Sequence, residues 1–121
     1  MGQLRNRTTG DVLAGRVRYA RGIRERYLGL LVHRSVAADE GLWFERCRAI
    51  HTLGMRAAVD VIFLDAGGRV LRCEGGVRPG RLVVACAGAH AVLEMGSGFL
   101  KGAAVHTGDV LELDDAPPAQ P

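Results

Sequence analysis

Apolar residues and arginines come in near-alternation over residues 12–20 (VLAGRVRYA), the period of two that a half-exposed β-strand requires. The period then changes. From Ile23 the apolar residues Tyr27, Leu30 and Leu31 follow at helical offsets, which predicts a helix that buries these four side chains and turns Arg24 and Glu25 outward. Residues 35–41 (SVAADEG) read as a turn or short helical piece ending at Gly41, ahead of a short strand made of Leu42, Trp43 and Phe44. Residues 59–64 (VDVIFL) and 69–73 (RVLRC) flank Asp65-Ala66-Gly67-Gly68, where paired glycines supply the positive φ angles of a tight reversal, so a hairpin is expected. Further strands are predicted at 82–86 (LVVAC), 89–95 (AHAVLEM) and 109–113 (DVLEL), parted by turns at Gly88 and Gly108. The stretch GSGFLKG (96–102) reads as a flexible turn. The fold class that results is α+β, mostly antiparallel β, with one clear helix and a compact, barrel-like sheet.

Composition fits this picture: 121 residues, 48% apolar and 24% charged, suffice for one domain with its own core. Residues 1–10 (MGQLRNRTTG) are polar and residues 114–121 (DDAPPAQP) combine acids with three prolines, so both ends are expected to be disordered around a single domain at 11–113. No stretch approaches the roughly 20 apolar residues of a membrane-spanning helix, and the start lacks the apolar run of a secretory signal. Cys47, Cys73 and Cys86 are an odd number in a chain able to build a core, which argues for reduced thiols and a cytoplasmic setting.

Charge is uneven. Eight of the arginines fall in residues 1–34 against Asp11 and Glu25, a basic patch of the kind that neutralises nucleic-acid phosphates. Fifteen arginines stand against a single lysine, however, and the six aromatics are not interleaved with them as stacking platforms. A chain-wide preference for arginine explains the patch more simply than a nucleic-acid partner does.

The segments RERYLGLL (24–31), DEGLWF (39–44), CRAIHTLGM (47–55), VDVIFLDAGGRVL (59–71), AVLEM (91–95) and TGDVLEL (107–113) occur in an order that resembles the domain of unknown function 192 family. The resemblance spans roughly residues 11–113 and is most specific in its His-Thr-x-x-Met to Asp spacing. It implies no reaction, cofactor or ligand; some members are similar to proteins encoded near tight-adherence pilus or secretion genes. Where many members carry bulky and proline residues ahead of the aspartate, this chain has Ala57 and Ala58, which enlarges or softens the neighbouring pocket.

Asp60 stands out because it lies between Val59 and Val61 on an apolar strand, where an unpartnered carboxylate is costly to desolvate. Its partners are expected to be an arginine such as Arg26, or backbone amides. His51 suits either a satisfied core imidazole or a pocket wall. With Thr52 and Met55 of the same motif, these residues bound a candidate ligand groove: Arg26, His51, Thr52, Met55 and Asp60. The function expected is a non-enzymatic accessory module binding a small ligand or a protein partner there. The alternatives are a hydrolase or other enzyme using His51 and Asp60, and an arginine-rich nucleic-acid binder.

Cys47/His51 and Cys86/His90 are two Cys-x-x-x-His pairs, arithmetically enough for zinc. Residues four apart on one strand are too distant to share a metal, so neither a metal nor another cofactor is expected. Ser97 lacks the Gly-x-Ser-x-Gly elbow of a nucleophile, and GSGFLKG fits neither a dinucleotide fingerprint nor a phosphate-binding loop.

Overall fold

The computed structural model describes residues 2–20, 37–50, 57–81 and 84–115. Among them are nine strands and one short helix: β1 (Gly2–Asn6), β2 (Val12–Tyr19), β3 (Glu40–Glu45), β4 (Ala49–Ile50), β5 (Val59–Leu64), β6 (Val70–Val77), β7 (Val84–Ala85), β8 (Ala91–Gly96), α1 (Phe99–Gly102) and β9 (Leu111–Asp114). The helix expected from Ile23 to Leu31 lies outside the described residues.

Seven strands form one sheet in the order β6-β5-β8-β3-β2-β1-β9, and β4 and β7 pair as a separate ribbon. All neighbours are antiparallel except β2 and β3, which run parallel with Arg16 opposite Glu40 and Tyr19 opposite Trp43. The sheet is therefore mixed, not purely antiparallel. Parallel neighbours cannot be joined by a hairpin, and residues 20–39 supply the long connection they need. Nor does the sheet close into the expected barrel. Its outer strands β6 and β9 are linked near one end by the Arg69–Val110 bridge. Backbone bonds flank that bridge, from Val70 N to Asp109 O at 2.7 Å and from Leu111 N to Gly68 O at 2.8 Å.

Strand β5 explains why VDVIFL is apolar throughout. Ile62 and Leu64 pack into one cluster with Leu93, Met95, Trp43, Val17 and Leu4. The alternate residues Val59, Val61 and Phe63 pack into a second cluster with Val92, Leu42 and Phe44. Every residue of β5 and β8 is buried, so these central strands read as continuous apolar runs and not as alternations.

Two differences from the sequence expectation have a common cause, tertiary pairing that overrides local polarity. The polar opening segment is not disordered from its start: β1 lies between β2 and β9, and Leu4 and Asn6 are fully buried. Hydrogen bonding on both edges satisfies the β1 backbone, and the run is too short for its alternation to announce a strand. The GSGFLKG stretch, read as a flexible turn, contains the single-turn helix α1, entered through Gly98 at φ 98 and anchored by the buried Phe99. The hairpin between β5 and β6 forms as expected. Gly68 takes φ 84, and Asp65 Oδ1 accepts the N–H groups of Gly67 and Arg69, both at 2.9 Å. Gly88 and Gly108 likewise have positive φ in their turns.

Candidate functional site

Strand β5 carries Asp60 into the interior. The aspartate shares the face of Ile62 and Leu64, opposite Met95 of β8, and only 2% of its surface is exposed. A carboxylate there needs fixed donors, and two backbone amides provide them. Oδ1 accepts the Gly76 N–H at 2.8 Å and Oδ2 accepts the Leu100 N–H at 2.9 Å.

Both donors are released by local irregularity. Across from Asp60 the register with β6 slips, so that Val59 faces Val77 while Val61 faces Glu74, and Gly75 and Gly76 together oppose the aspartate. Such a bulge frees an N–H from the ladder. Gly76, at φ 64, is in the left-handed conformation that glycine adopts at little cost. The second donor belongs to the first turn of α1, whose N–H groups have no partner within the helix; Gly98 at its N-cap offers no side chain. Asp60 thus caps α1 from a distance, joining β5, the β6 bulge and the helix through one side chain.

The cover above it is thin. Gly75 and Gly76 are both exposed, and a Cβ added to Gly75 would sit only 3.7 Å from Asp60 Oδ1. Arg26, His51, Thr52 and Met55, the other residues of the expected groove, lie outside the described residues.

Of the two cysteine–histidine pairs, Cys86/His90 departs from the strand arithmetic, and His51 of the other lies outside the described residues. Cys86 and His90 are not on one strand but on a turn, closed by the Ala89 N–H on Cys86 O at 3.2 Å. The same turn lies against Cys47, whose N–H donates to His90 O at 2.9 Å. The Cys47 thiol reaches Ala49 O at 3.1 Å. Among the described residues, no three His, Cys, Asp or Glu side chains converge as metal ligands. Burial pushes the Cys73 thiol up, helped by Asp109 and Asp60.

Three features were not singled out from the sequence. Glu94 is as buried as Asp60, on β8 opposite Leu42 and Val61. The rule that drew attention to Asp60, a charge within an apolar strand, applies equally to the Glu of AVLEM. Asn6 is fully buried, accepts the Thr8 N–H at 3.0 Å and donates Nδ2 to Asp109 Oδ2 at 2.9 Å. That oxygen also accepts the His106 N–H at 3.0 Å. The Asn6 hydrogen bond, then the His106 amide, hold the Asp109 carboxyl below its ordinary range. Assigning the opening segment to disorder hid this cluster. Finally, Trp43 packs edge-on to Tyr19, with ring centroids 6.1 Å apart, and its buried Nε1–H meets no acceptor among the described residues.

The model of the domain of unknown function 192 family, described as an uncharacterised ACR, matches residues 4–113. The chain belongs to this family. A comparison with curated proteins finds no match. A protein of unknown function from Novosphingobium aromaticivorans has a similar crystal structure, with a TM-score of 0.77 at 24% identity, covering 93% of this chain and 84% of that one. A candidate transcription regulator from Sinorhizobium meliloti gives a TM-score of 0.76 at 23% identity, covering 93% of this chain and 91% of that one. At these identities the likeness is one of fold. The domain of unknown function 192 match begins within β1 and runs through Leu113 of β9, so it spans all seven strands of the main sheet. No described helix is long and apolar enough to cross a membrane.

Proposed function

We propose that this member of the domain of unknown function 192 family is a non-enzymatic accessory module, working in the cytoplasm and binding a small ligand or a protein partner. The groove would run from His51 to Asp60, with Arg26, Thr52 and Met55 contributing to it. The observation that supports this reading is the state of Asp60. Each of its oxygens already accepts a rigid backbone N–H. A carboxylate fixed in this way serves as an anchor, while a general acid or base must exchange a proton with a reacting group. The two exposed glycines above it bring only backbone to the surface, which lets a partner approach closely.

The nucleic-acid alternative draws less support. Arg16 is committed to Asp39 at 2.8 Å and Arg7 to Glu112 at 3.2 Å, so two arginines of the basic first third have acidic partners within the fold.

A thermal-shift and pull-down screen with the wild type and His51→Ala tests the proposal. His51→Ala is expected to keep the wild-type unfolding midpoint and to lose whatever ligand or partner the wild type captures. Saturable turnover abolished by His51→Ala would establish the enzyme reading instead, and salt-dependent binding to unrelated DNA or RNA would establish the nucleic-acid one.

A further inference from the structure

The chain carries three thiols, none in a disulfide, and the main sheet divides them two to one. Cys73 lies on β6 opposite Ile62 and packs against the cluster of Ile62 and Leu64. Cys47 and Cys86 both pack against the other cluster, that of Val61 and Phe63, on the opposite face.

Backbone pairing brings these two together. In the β4–β7 ribbon Ala49 lies opposite Ala85 and Ile50 opposite Val84, and the Cys86 N–H on Arg48 O at 3.3 Å carries the same register one step further. Cys86 therefore faces Arg48, the neighbour of Cys47. Facing Cα atoms in such a ladder are about 4.5–5.5 Å apart and successive residues rise about 3.4 Å, which sets the Cα atoms of Cys47 and Cys86 roughly 6 Å apart. A disulfide spans about 4.4–6.8 Å between Cα atoms. The Cys47 N–H on His90 O and the Ala89 N–H on Cys86 O fix both residues from the turn side. Each thiol rests on a carbonyl, Cys47 Sγ on Ala49 O at 3.1 Å and Cys86 Sγ on Ala87 O at 3.6 Å. A thiol is a weak donor, so these contacts give little resistance to a turn about either Cα–Cβ bond. Both side chains are half-buried, which leaves them open to a small oxidant.

We propose that Cys47 and Cys86 are a reversible redox clamp: hydrogen peroxide joins their sulfurs in an intramolecular disulfide at the end of the β4–β7 ribbon, and a dithiol reopens it. One thiolate attacks a peroxide oxygen, the O–O bond breaks, and a sulfenic acid and one water result. The second thiolate attacks that sulfur, the S–O bond breaks, and the oxygen leaves as a second water. Two thiols are thus oxidised by the two electrons that reduce the peroxide. Cys73 takes no part, since the sheet lies between it and the pair; burial, then Asp109 and Asp60, also raise its thiol above the ordinary range and keep it protonated. Strand β4 leads directly into His51, so the clamp closes one end of the segment that carries the proposed groove. Its effect there rests on that reading, whereas the bond itself does not.

The full chain is treated with hydrogen peroxide at neutral pH, and its thiols are counted by alkylation and located by peptide mass spectrometry. The expected product is a monomer that has lost two hydrogens and keeps one alkylatable thiol, Cys73, with the Cys47 and Cys86 peptides linked until dithiothreitol parts them. Amide exchange at Ile50 and Val84 is expected to slow by about tenfold or more in the oxidised chain. Cys73→Ser and His51→Ala should both form the link at the wild-type rate, which separates the bond from the groove reading. Sulfenic or sulfinic acids with no link, a disulfide between two chains, or a link that includes Cys73 each overturn the proposal. Unchanged exchange at Ile50 and Val84 in a correctly linked chain overturns the clamp. Linkage and exchange are both read on the unaltered chain, so they decide the matter even if a variant fails to fold.

Discussion

Removing the Asp60 carboxylate would strand two amides at once, those of Gly76 and Leu100, at a site almost closed to water. Asp60→Ala is therefore expected to lower stability by about 3 kcal/mol or more in urea unfolding. Asp60→Asn keeps one acceptor oxygen and sets an amide group against the other N–H, so it should fall between Ala and the wild type. A loss no larger than that of an exposed aspartate would show that neither amide depends on the carboxylate. Trp43 poses the opposite case. Phenylalanine there gives up some buried area but also removes a buried donor that has no acceptor among the described residues, a relief worth about 1–3 kcal/mol. Trp43→Phe is expected to lie within about 1 kcal/mol of the wild type, whereas Trp43→Ala, which empties the core position, should cost about 3–5 kcal/mol.

At the scale of elements, the glycine bulge of β6 separates two kinds of glycine. Gly76 holds φ 64, so Gly76→Ala should cost about 1–2 kcal/mol in backbone strain alone. Gly75 has no positive φ, and a Cβ there would make ordinary contacts of 3.7 Å with Asp60 Oδ1 and 3.9 Å with Leu100 Cδ1, so Gly75→Ala should be nearly neutral. Equal losses in the two variants would mean that crowding over Asp60, and not backbone conformation, sets the cost. This bulge also marks where the sequence stopped being legible. The β5–β6 hairpin could be read because Asp65 and the glycine pair act within a few residues of one another. The need for donors at Asp60 could be read because a charge in VDVIFL is costly wherever the strand lies. The identity of the donors could not, since Leu100 lies 40 residues further on and offers only its backbone. Strand β1 and the Asn6–Asp109 contact escaped for the same reason, with partners 103 residues apart in that pair.

For the molecule as a whole, acid should loosen the seam between the beginning and the end of the chain. The folded Asp109 carboxyl titrates below its unfolded value, so the stability it contributes is fully present above about pH 4 and is lost as pH falls through the folded value. Asp109→Asn should flatten the acid limb of a stability-versus-pH curve; an unchanged limb would assign acid sensitivity to other carboxylates, of which Asp39, lowered by its hydrogen bond to Arg16, is one. Burial orders the sheet in a similar way. Strands β5 and β8 are covered on both faces, so their amides should be the last to exchange with deuterated solvent, and those of the two-residue strands β4 and β7 among the first. The pairing of β1 with β9 sets one further property. Gln3 lies opposite Asp114 and Asn6 opposite Leu111, so the two strands meet at the ends from which the flanking chain departs. A pulling force applied through those ends loads the ladder one rung at a time, like a zipper and not like a lap joint under shear. Stretched between its termini, the fold should peel open from Gln3 and Asp114 at low force, and should resist far more strongly when held through β5 and β3.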